Sequence, residues 1–209
     1  MEPIGKAMSK LLAVSCLLWT ICACAAWGQK PRDEWKQPNS ASLLRSALAY
    51  SLANAPLSAS ERNQVYQVVD DKTIHDSFTP DERDDERETV LSSPVGFVRL
   101  ADAGPEQVLV RGPVRFCGAS GNCSIWIFAR ESRGLRLILG AGGNSLFVSP
   151  ASSRGFHDLA TAWHNSGFEE GVVAYRWNGR TYAESDCYNV RFDVDNRQKP
   201  PVIQDCPPR

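Results

Sequence analysis

The sequence has little of what most catalytic or nucleic-acid-binding proteins need. Its 209 residues include three histidines and two methionines, and the formal net charge is −1. A nucleic-acid-binding protein carries a clustered excess of lysine and arginine, and a membrane-surface protein carries a polybasic patch. Neither occurs here. We therefore expect no nucleic-acid partner, and a composition with 43 % hydrophobic and 22 % charged residues indicates an ordinary globular domain.

Signals for metals and cofactors are also missing. There is no C-x2-C pair, and no three His, Asp or Glu residues have the spacing of metal ligands. The glycine-rich stretch GAGGN (140–144) does not join a strand to a helix with P-loop spacing, so it is predicted to be a turn. The sequence predicts no metal site and no cofactor.

The one long apolar run, Leu11–Ala26, is too short to span a membrane at about 16 residues. Lys6 and Lys10 precede the run and small residues follow it, which is typical of a signal peptide covering residues 1–28. In one alternative, ICAC is a degenerate lipobox and Cys24 carries a lipid; in another, the run stays as an anchor. We expect an exported protein, periplasmic or secreted, that touches a membrane only through such an anchor.

Four of the seven cysteines lie beyond the signal region, an even number that predicts two bridges in an oxidising compartment. Three pairings are formally open. Cys117 and Cys123 flank GASGN, a flexible loop that can close on itself, which leaves Cys187 to pair with Cys206. A metal site built from all four thiolates is the alternative.

The fold class predicted is α+β, with an N-terminal helical segment followed by an antiparallel β-rich domain of hairpins. Ser58 and Glu61 form a capping-box pattern, and Thr79 with Glu82 marks a further helix start whose acidic turns are a solvated flank. The predicted domains are a signal peptide (1–28), a linker (29–41), a helical segment (42–93), an antiparallel β domain (94–195) and a Pro-rich tail tied by a disulfide (196–209).

Alternation of apolar residues predicts the strands of the β domain, and Asn178-Gly179 is the strongest hairpin signal in the chain. The predicted strands cover residues 95–100, 107–111, 124–130, 135–139, 145–149, 157–163, 171–177 and 187–194.

The motif FCGxxGNCxxWxF (116–128), followed by GFHDL (155–159) and YRWNGxxY (175–182), resembles a set of uncharacterised exported bacterial proteins. The resemblance covers about residues 94–188 and implies an exported β-domain. Two segments about 50 residues apart also resemble single FG-GAP-type propeller blades. Two blades cannot close a propeller, and Asp102 alone does not complete the family's calcium loop, so this resemblance implies strand order and not calcium.

The loop between Cys117 and Cys123 is the best candidate for function, because a bridge that fixes a loop reduces the ordering cost of binding. The predicted binding residues are Gly118, Gly121, Asn122 and Trp126. Strand alternation predicts that most of the aromatic residues of these strands are core, namely Trp126, Trp163, Tyr175, Trp177 and Tyr182. Any of them that face outward together would stack on sugar or peptide. The expected function is an exported cell-envelope binding or inhibitory module whose partner is an envelope protein or a glycan.

Two other functions remain open. A hydrolase would use His157 and Asp158, near His164, with Ser152 or Ser153 as nucleophile, although neither serine lies in a recognisable elbow. The second is a structural or accessory role in the envelope. A deep pocket that holds both His157 and Asp158 would favour the hydrolase.

Overall fold

Ten β-strands dominate the computed structural model, which describes residues 43–71, 79, 82–193, 195 and 199–207. The predicted signal peptide, the lipidation alternative at Cys24 and the linker 29–41 lie outside these residues. The helices are α1 (Leu43–Ala47), α2 (Ala59–Val69) and α3 (Arg83–Leu91), and a short 3-10 turn covers Val114–Phe116. The strands are β1 (Leu48–Ser51), β2 (Pro94–Val98), β3 (Gln107–Arg111), β4 (Cys123–Glu131), β5 (Gly134–Gly143), β6 (Ser145–Ser153), β7 (Phe156–Ser166), β8 (Glu169–Trp177), β9 (Tyr182–Arg191) and β10 (Val202–Asp205).

The strands form two five-stranded sheets, in which every strand pairs antiparallel with its neighbour in sequence. The first sheet has the order β1-β2-β3-β4-β5 and the second β10-β9-β8-β7-β6. The chain crosses from the first sheet to the second at Asn144, between β5 and β6. The prediction of an antiparallel, β-rich domain of hairpins is therefore confirmed.

The first sheet is buried on both faces. On one face Leu109, Ile125 and Ile127 share a core with Leu146 and Leu159 of the second sheet. Strand alternation sends the next residues to the other face, where helices α2 and α3 cover them. The three layers are therefore the helices, the first sheet and the second sheet.

Helix α2 is capped as predicted and then fixed to the sheet beneath it. Ser58 Oγ accepts a hydrogen bond from the Glu61 amide at 3.2 Å, and the Glu61 carboxylate accepts one from the Ser58 amide at 2.9 Å. The bond from the Ser58 amide is the main reason why the pKa of Glu61 lies below its ordinary value. Glu61 also lies 3.4 Å from Arg130 of β4, and the Gln64 side chain accepts a hydrogen bond from the Leu135 amide.

Between Asp71 and helix α3, the chain is described only at Thr79 and Glu82. Glu82 is the N-cap of Arg83–Leu91, and its carboxylate accepts hydrogen bonds from the Thr79 amide and hydroxyl, at 3.0 and 2.8 Å. These two bonds lower the pKa of Glu82 below its ordinary value. The predicted start of a helix near this point is confirmed.

The prediction that residues 42–93 are helical is wrong at β1. Leu48 pairs with Gly96 and Ser51 with Pro94, so this segment forms the edge of the first sheet. A Cβ atom on Gly96 would lie 2.0 Å from the Ala47 carbonyl oxygen. The absence of that atom allows the turn from α1 into β1 to lie directly against β2.

Two segments predicted to lack regular structure are strands. Gly140–Gly143, predicted to be a turn, extends β5 along β4, as Cys123 pairs with Gly143. The tail, predicted to be held only by its bridge, contains β10, which pairs with Tyr188–Arg191 of β9. In both cases the neighbouring strand supplies the hydrogen-bonding partners, which local composition does not reveal.

Asn178-Gly179 joins β8 to β9 as predicted, but within a four-residue connection. Trp177 pairs with Tyr182, and the Asn178 side chain accepts hydrogen bonds from the amides of Arg180 and Thr181. Gly179 has φ +105°, a conformation that glycine adopts without strain.

Candidate binding cleft

The space between the two sheets is closed at one end by aromatic side chains. Phe156 stacks on Trp177 with ring centroids 4.3 Å apart, and Tyr182 packs edge-on against both. The Tyr182 hydroxyl donates to the His157 carbonyl at 2.8 Å, and burial raises the pKa of this phenol well above its ordinary value. This end is core.

The opposite end is open and forms a cleft of about 470 Å³, here called the inter-sheet cleft. Its walls come from the first sheet's β4 and β5, the second sheet's β7, β8 and β9, and the chain that precedes β4. Three aromatic and three neutral polar residues supply most of its side chains: Phe116, Trp163, Tyr175, Asn122, Ser124 and Thr161.

The disulfide loop, residues 117–123, forms one rim of the cleft. Cys117 is bridged to Cys123, with Cα atoms 4.4 Å apart, and Cys187 to Cys206, so both bridges have the predicted pairing. Arg111 donates from Nε to Cys123 Sγ at 3.0 Å and from Nη2 to the Gly121 carbonyl at 3.1 Å. The loop is therefore held from inside by covalent and polar contacts.

Asn122 ties this loop to the second sheet. Its side-chain oxygen accepts a hydrogen bond from the His164 amide at 3.0 Å, and its side-chain nitrogen donates to the His164 carbonyl at 2.9 Å. The same nitrogen donates to Ser120 Oγ at 2.8 Å. The Asn122 side chain, which the sequence suggested for partner binding, thus makes the two backbone hydrogen bonds to His164 that a neighbouring strand would make. These bonds fix the width of the cleft.

Replacing Asn122 with alanine should lower the free energy of unfolding by about 1–2 kcal/mol, because two hydrogen bonds between the sheets are lost. Ser120→Ala is the matched control, since it removes a bond within the loop, and it should cost less than about 0.5 kcal/mol. Chemical denaturation followed by circular dichroism measures both. Equal losses of unfolding free energy in the two variants would show that the hydrogen bonds between the sheets contribute no more than the bond within the loop.

Trp163 forms the floor of the cleft on the second sheet. Its six-membered ring lies over Gly171 of β8, where a Cβ atom would be 2.0 Å from the ring carbon Cζ2. Its Nε1 donates to Asn165 Oδ1 at 2.6 Å. Because the ring is held from below and at its polar edge, it is positioned before any ligand arrives.

Thr161 and Glu184 complete the polar part of the cleft. Thr161 is fully buried, and its hydroxyl makes no hydrogen bond to any residue that the structure describes. Such a buried hydroxyl carries a desolvation cost that a partner would offset. Glu184, which pairs with Tyr175 across β8 and β9, lies at the exposed side of the cleft.

Three of the four predicted binding residues lie elsewhere. Trp126 is 4 % exposed and packs on the helix-covered face of the first sheet, because strand alternation turns it away from the cleft. Gly118 and Gly121 shape the loop, since the Gly121 amide donates to the Gly118 carbonyl and Gly121 has φ +77°. Asn122 lines the cleft, but its side-chain amide is occupied by β7.

The side chains of the residues proposed for hydrolysis lie apart. His157 and Asp158 are neighbours in β7, so their side chains leave opposite faces of the strand. His157 Nε2 lies 3.7 Å from Asp102, whereas Asp158 lies 3.7 Å from Arg176. Neither side chain lines the inter-sheet cleft.

The other members of the hydrolase hypothesis are also dispersed. His164 lies near the other end of β7 and pairs with Glu170 at 3.3 Å. Ser152 is the register partner of His157, but no hydrogen bond joins their side chains in the described part of the chain.

The described residues contain no candidate metal site and no candidate membrane span. Within 43–71, 79, 82–193, 195 and 199–207, no three His, Cys, Asp or Glu side chains converge on one point. None of the helices in these ranges is both long and apolar enough to cross a membrane.

The inter-sheet cleft therefore offers aromatic surface, neutral hydrogen-bonding groups and one carboxylate. The similarities to exported bacterial proteins and to FG-GAP-type blades stay predictions. Comparison of the chain with protein-family models, curated proteins and solved structures gave no match.

Proposed function

We propose that this chain is an exported binding module of the cell envelope and that its ligand occupies the inter-sheet cleft. The observation that carries the proposal is the aromatic pair Trp163 and Tyr175, which lies partly exposed directly beside the disulfide loop. Aromatic side chains supply much contact area at a low entropic cost, so they are effective anchors for a ligand.

Rigidity of the cleft supports binding over a purely structural role. The bridge Cys117–Cys123 and the Asn122 link hold one rim, while Gly171 and Asn165 hold the indole of Trp163. A site that is ordered in advance loses less conformational entropy when a ligand binds. A structural spacer would gain nothing from an open cleft with a positioned tryptophan.

The compartment is consistent with this function. Two disulfides fit an oxidising extracellular environment. Export by the predicted signal peptide would place the cleft where it meets envelope proteins and glycans, which are the partner classes we propose. No cofactor enters the proposal.

A hydrolase receives less support from the geometry. Among the described residues that line the cleft there is no histidine, and the Thr161 hydroxyl has no hydrogen bond to a basic group. We therefore place the function in recognition and assign His157 and Asp158 to ion pairs that support the strand ends.

The proposal is tested by capture from envelope extract with the full chain produced in an oxidising compartment. The bait is wild type, Trp163→Ala or Tyr50→Ser, the last being a surface aromatic on β1 that does not line the cleft. Bound material is analysed for both polypeptide and carbohydrate. We expect one component to be retained by wild type and Tyr50→Ser and lost with Trp163→Ala.

A fourth bait, His157→Ala, separates recognition from catalysis. Binding should be unchanged in this variant, and the wild type should turn over no generic ester or amide substrate. Retention by Trp163→Ala equal to wild type, or a turnover that His157→Ala abolishes, would contradict the proposal.

A further inference from the structure

We propose that the ligand of the inter-sheet cleft is a neutral saccharide; this rests on the proposed binding function and names its ligand class. Three features of the cleft favour such a ligand: the charge of its walls, the position of Trp163 and the buried hydroxyl of Thr161.

The charge of the lining excludes anionic ligands. Within the described part of the chain, the cleft-lining residues include no lysine, arginine or histidine, and Glu184 is their one charged side chain. A phosphate, sulfate or uronate would lie beside this carboxylate, and no lining residue would supply a cation to bind the anion. Glu184 instead suits hydroxyl groups, because a carboxylate accepts several hydrogen bonds.

The aromatic surface suits the apolar face of a sugar ring. The indole lies over Gly171, which has no side chain to lift it from the sheet, and Tyr175 stands on the same wall. The face of an aromatic ring carries a negative electrostatic potential, so it attracts the weakly positive C–H groups that line one side of a pyranose. The ring's hydroxyl groups would then point towards the polar walls.

Thr161 requires a partner that donates or accepts hydrogen bonds. Its hydroxyl is buried at the cleft and unsatisfied by the described residues. A quaternary ammonium group would also stack on tryptophan beside a carboxylate, but it has no hydrogen-bonding group to offer Thr161. Sugar hydroxyl groups both donate and accept, so they satisfy Thr161 and Ser124 together.

The size of the cleft favours a small ligand over a protein surface. Its volume of about 470 Å³ falls in the range of about 300–1,000 Å³ that is typical of small-molecule sites. A stable protein interface needs about 800 Å² from each partner, usually on a flatter surface. A saccharide, free or at the end of a longer glycan, fits this geometry.

Saturation-transfer-difference NMR and calorimetry on the full chain test the inference. The probes are four neutral disaccharides (cellobiose, maltose, lactose and N,N′-diacetylchitobiose), with glucuronate and tetramethylammonium as charged counterparts. We expect at least one neutral disaccharide to bind and both charged probes to show no transfer. Trp163→Ala should weaken that binding at least about tenfold, and Thr161→Val about three- to tenfold.

Gly171→Ala provides a second variant that keeps every functional group of the cleft. Its added methyl group must displace the indole, so binding should fall as it does for Trp163→Ala, whereas Tyr50→Ser should bind like wild type. Circular dichroism checks that each variant is folded.

The outcomes separate this inference from the proposed function. Binding of a neutral disaccharide that depends on Trp163 and Thr161 supports it. Binding of tetramethylammonium or glucuronate instead, or of none of the probes, overturns it. A polypeptide captured from envelope extract in a Trp163-dependent way would then keep the binding function while replacing the ligand class; no Trp163-dependent capture would overturn both.

Discussion

Replacing Cys187 and Cys206 together with serine should lower the free energy of unfolding by about 3 kcal/mol, according to the chain-entropy model of disulfide stabilisation. The bridge joins residues 19 apart in sequence and fastens β10 to β9 at the edge of the second sheet. Without it, the unfolded chain regains the freedom of that whole loop. Denaturation midpoints and slopes measure the loss.

The double variant of Cys117 and Cys123 is the matched comparison. We expect it to lose less stability than the Cys187–Cys206 variant but to lose ligand binding. Its loop spans a separation of 6, so the same model gives a smaller loss of about 2 kcal/mol. Ligand binding, however, should fail in this variant and persist without the Cys187–Cys206 bridge, because only the first bridge borders the cleft among the described residues. Loss of binding in both variants, or in neither, would contradict the division of roles.

Replacing Gly143 with alanine should lower the free energy of unfolding by at least about 2 kcal/mol, since overpacking and backbone strain add. Gly143 has φ +155°, and a Cβ atom there would lie 2.4 Å from the Ala162 carbonyl oxygen. That carbonyl also accepts the hydrogen bond from the Asn144 amide, at 2.8 Å, at the crossing between the sheets. The clash is with backbone, so no side-chain rotation relieves it.

Gly142→Ala is the control, because its added methyl group meets no atom within 4 Å and the residue also lines the cleft. It should change stability by less than about 0.5 kcal/mol. Thermal and chemical denaturation compare the two. A loss in Gly142→Ala as large as that in Gly143→Ala would mean that strand glycines in general, rather than the crossing, limit stability.

Local patterns were sufficient to predict much of the fold. Alternation placed β3 at the bounds observed, 107–111, and cysteine spacing indicated both bridges. The capping box of α2 was readable because its two hydrogen bonds join residues three apart. In each case the determining contacts are close in sequence or depend on one residue type.

The failures share a different cause, which is contact between distant segments. Strand β1 forms because Gly96, about 50 residues away, leaves room for the Ala47 carbonyl. The role of Asn122 depends on His164, a partner 42 residues distant. Composition indicates which segments contain loop-forming or turn-forming residues, but it does not show which distant segment of backbone each one contacts.

The candidate site was predicted in part for the same reason. The disulfide loop does border the cleft, but Trp163 and Tyr175 belong to the aromatic residues that strand alternation predicts to be mostly core, and both line the cleft half-buried. Trp126 is one of the predicted binding residues, yet the pleat of β4 directs it to the opposite core. Thr161 carried no sequence signal, since its importance lies in a hydroxyl buried without a partner.

Hydrogen–deuterium exchange of the full chain, with and without the component that wild type captures, tests whether the ligand occupies the inter-sheet cleft. Protection should appear on both sides of the cleft, in peptides covering residues 116–124 and 160–164, with little change in α2 or α3. A second cavity of about 450 Å³ lies beside β10 and is lined in part by Phe168, Phe192 and Val202. Protection confined to that region, with residues 116–124 and 160–164 unchanged, would show that the ligand binds outside the inter-sheet cleft.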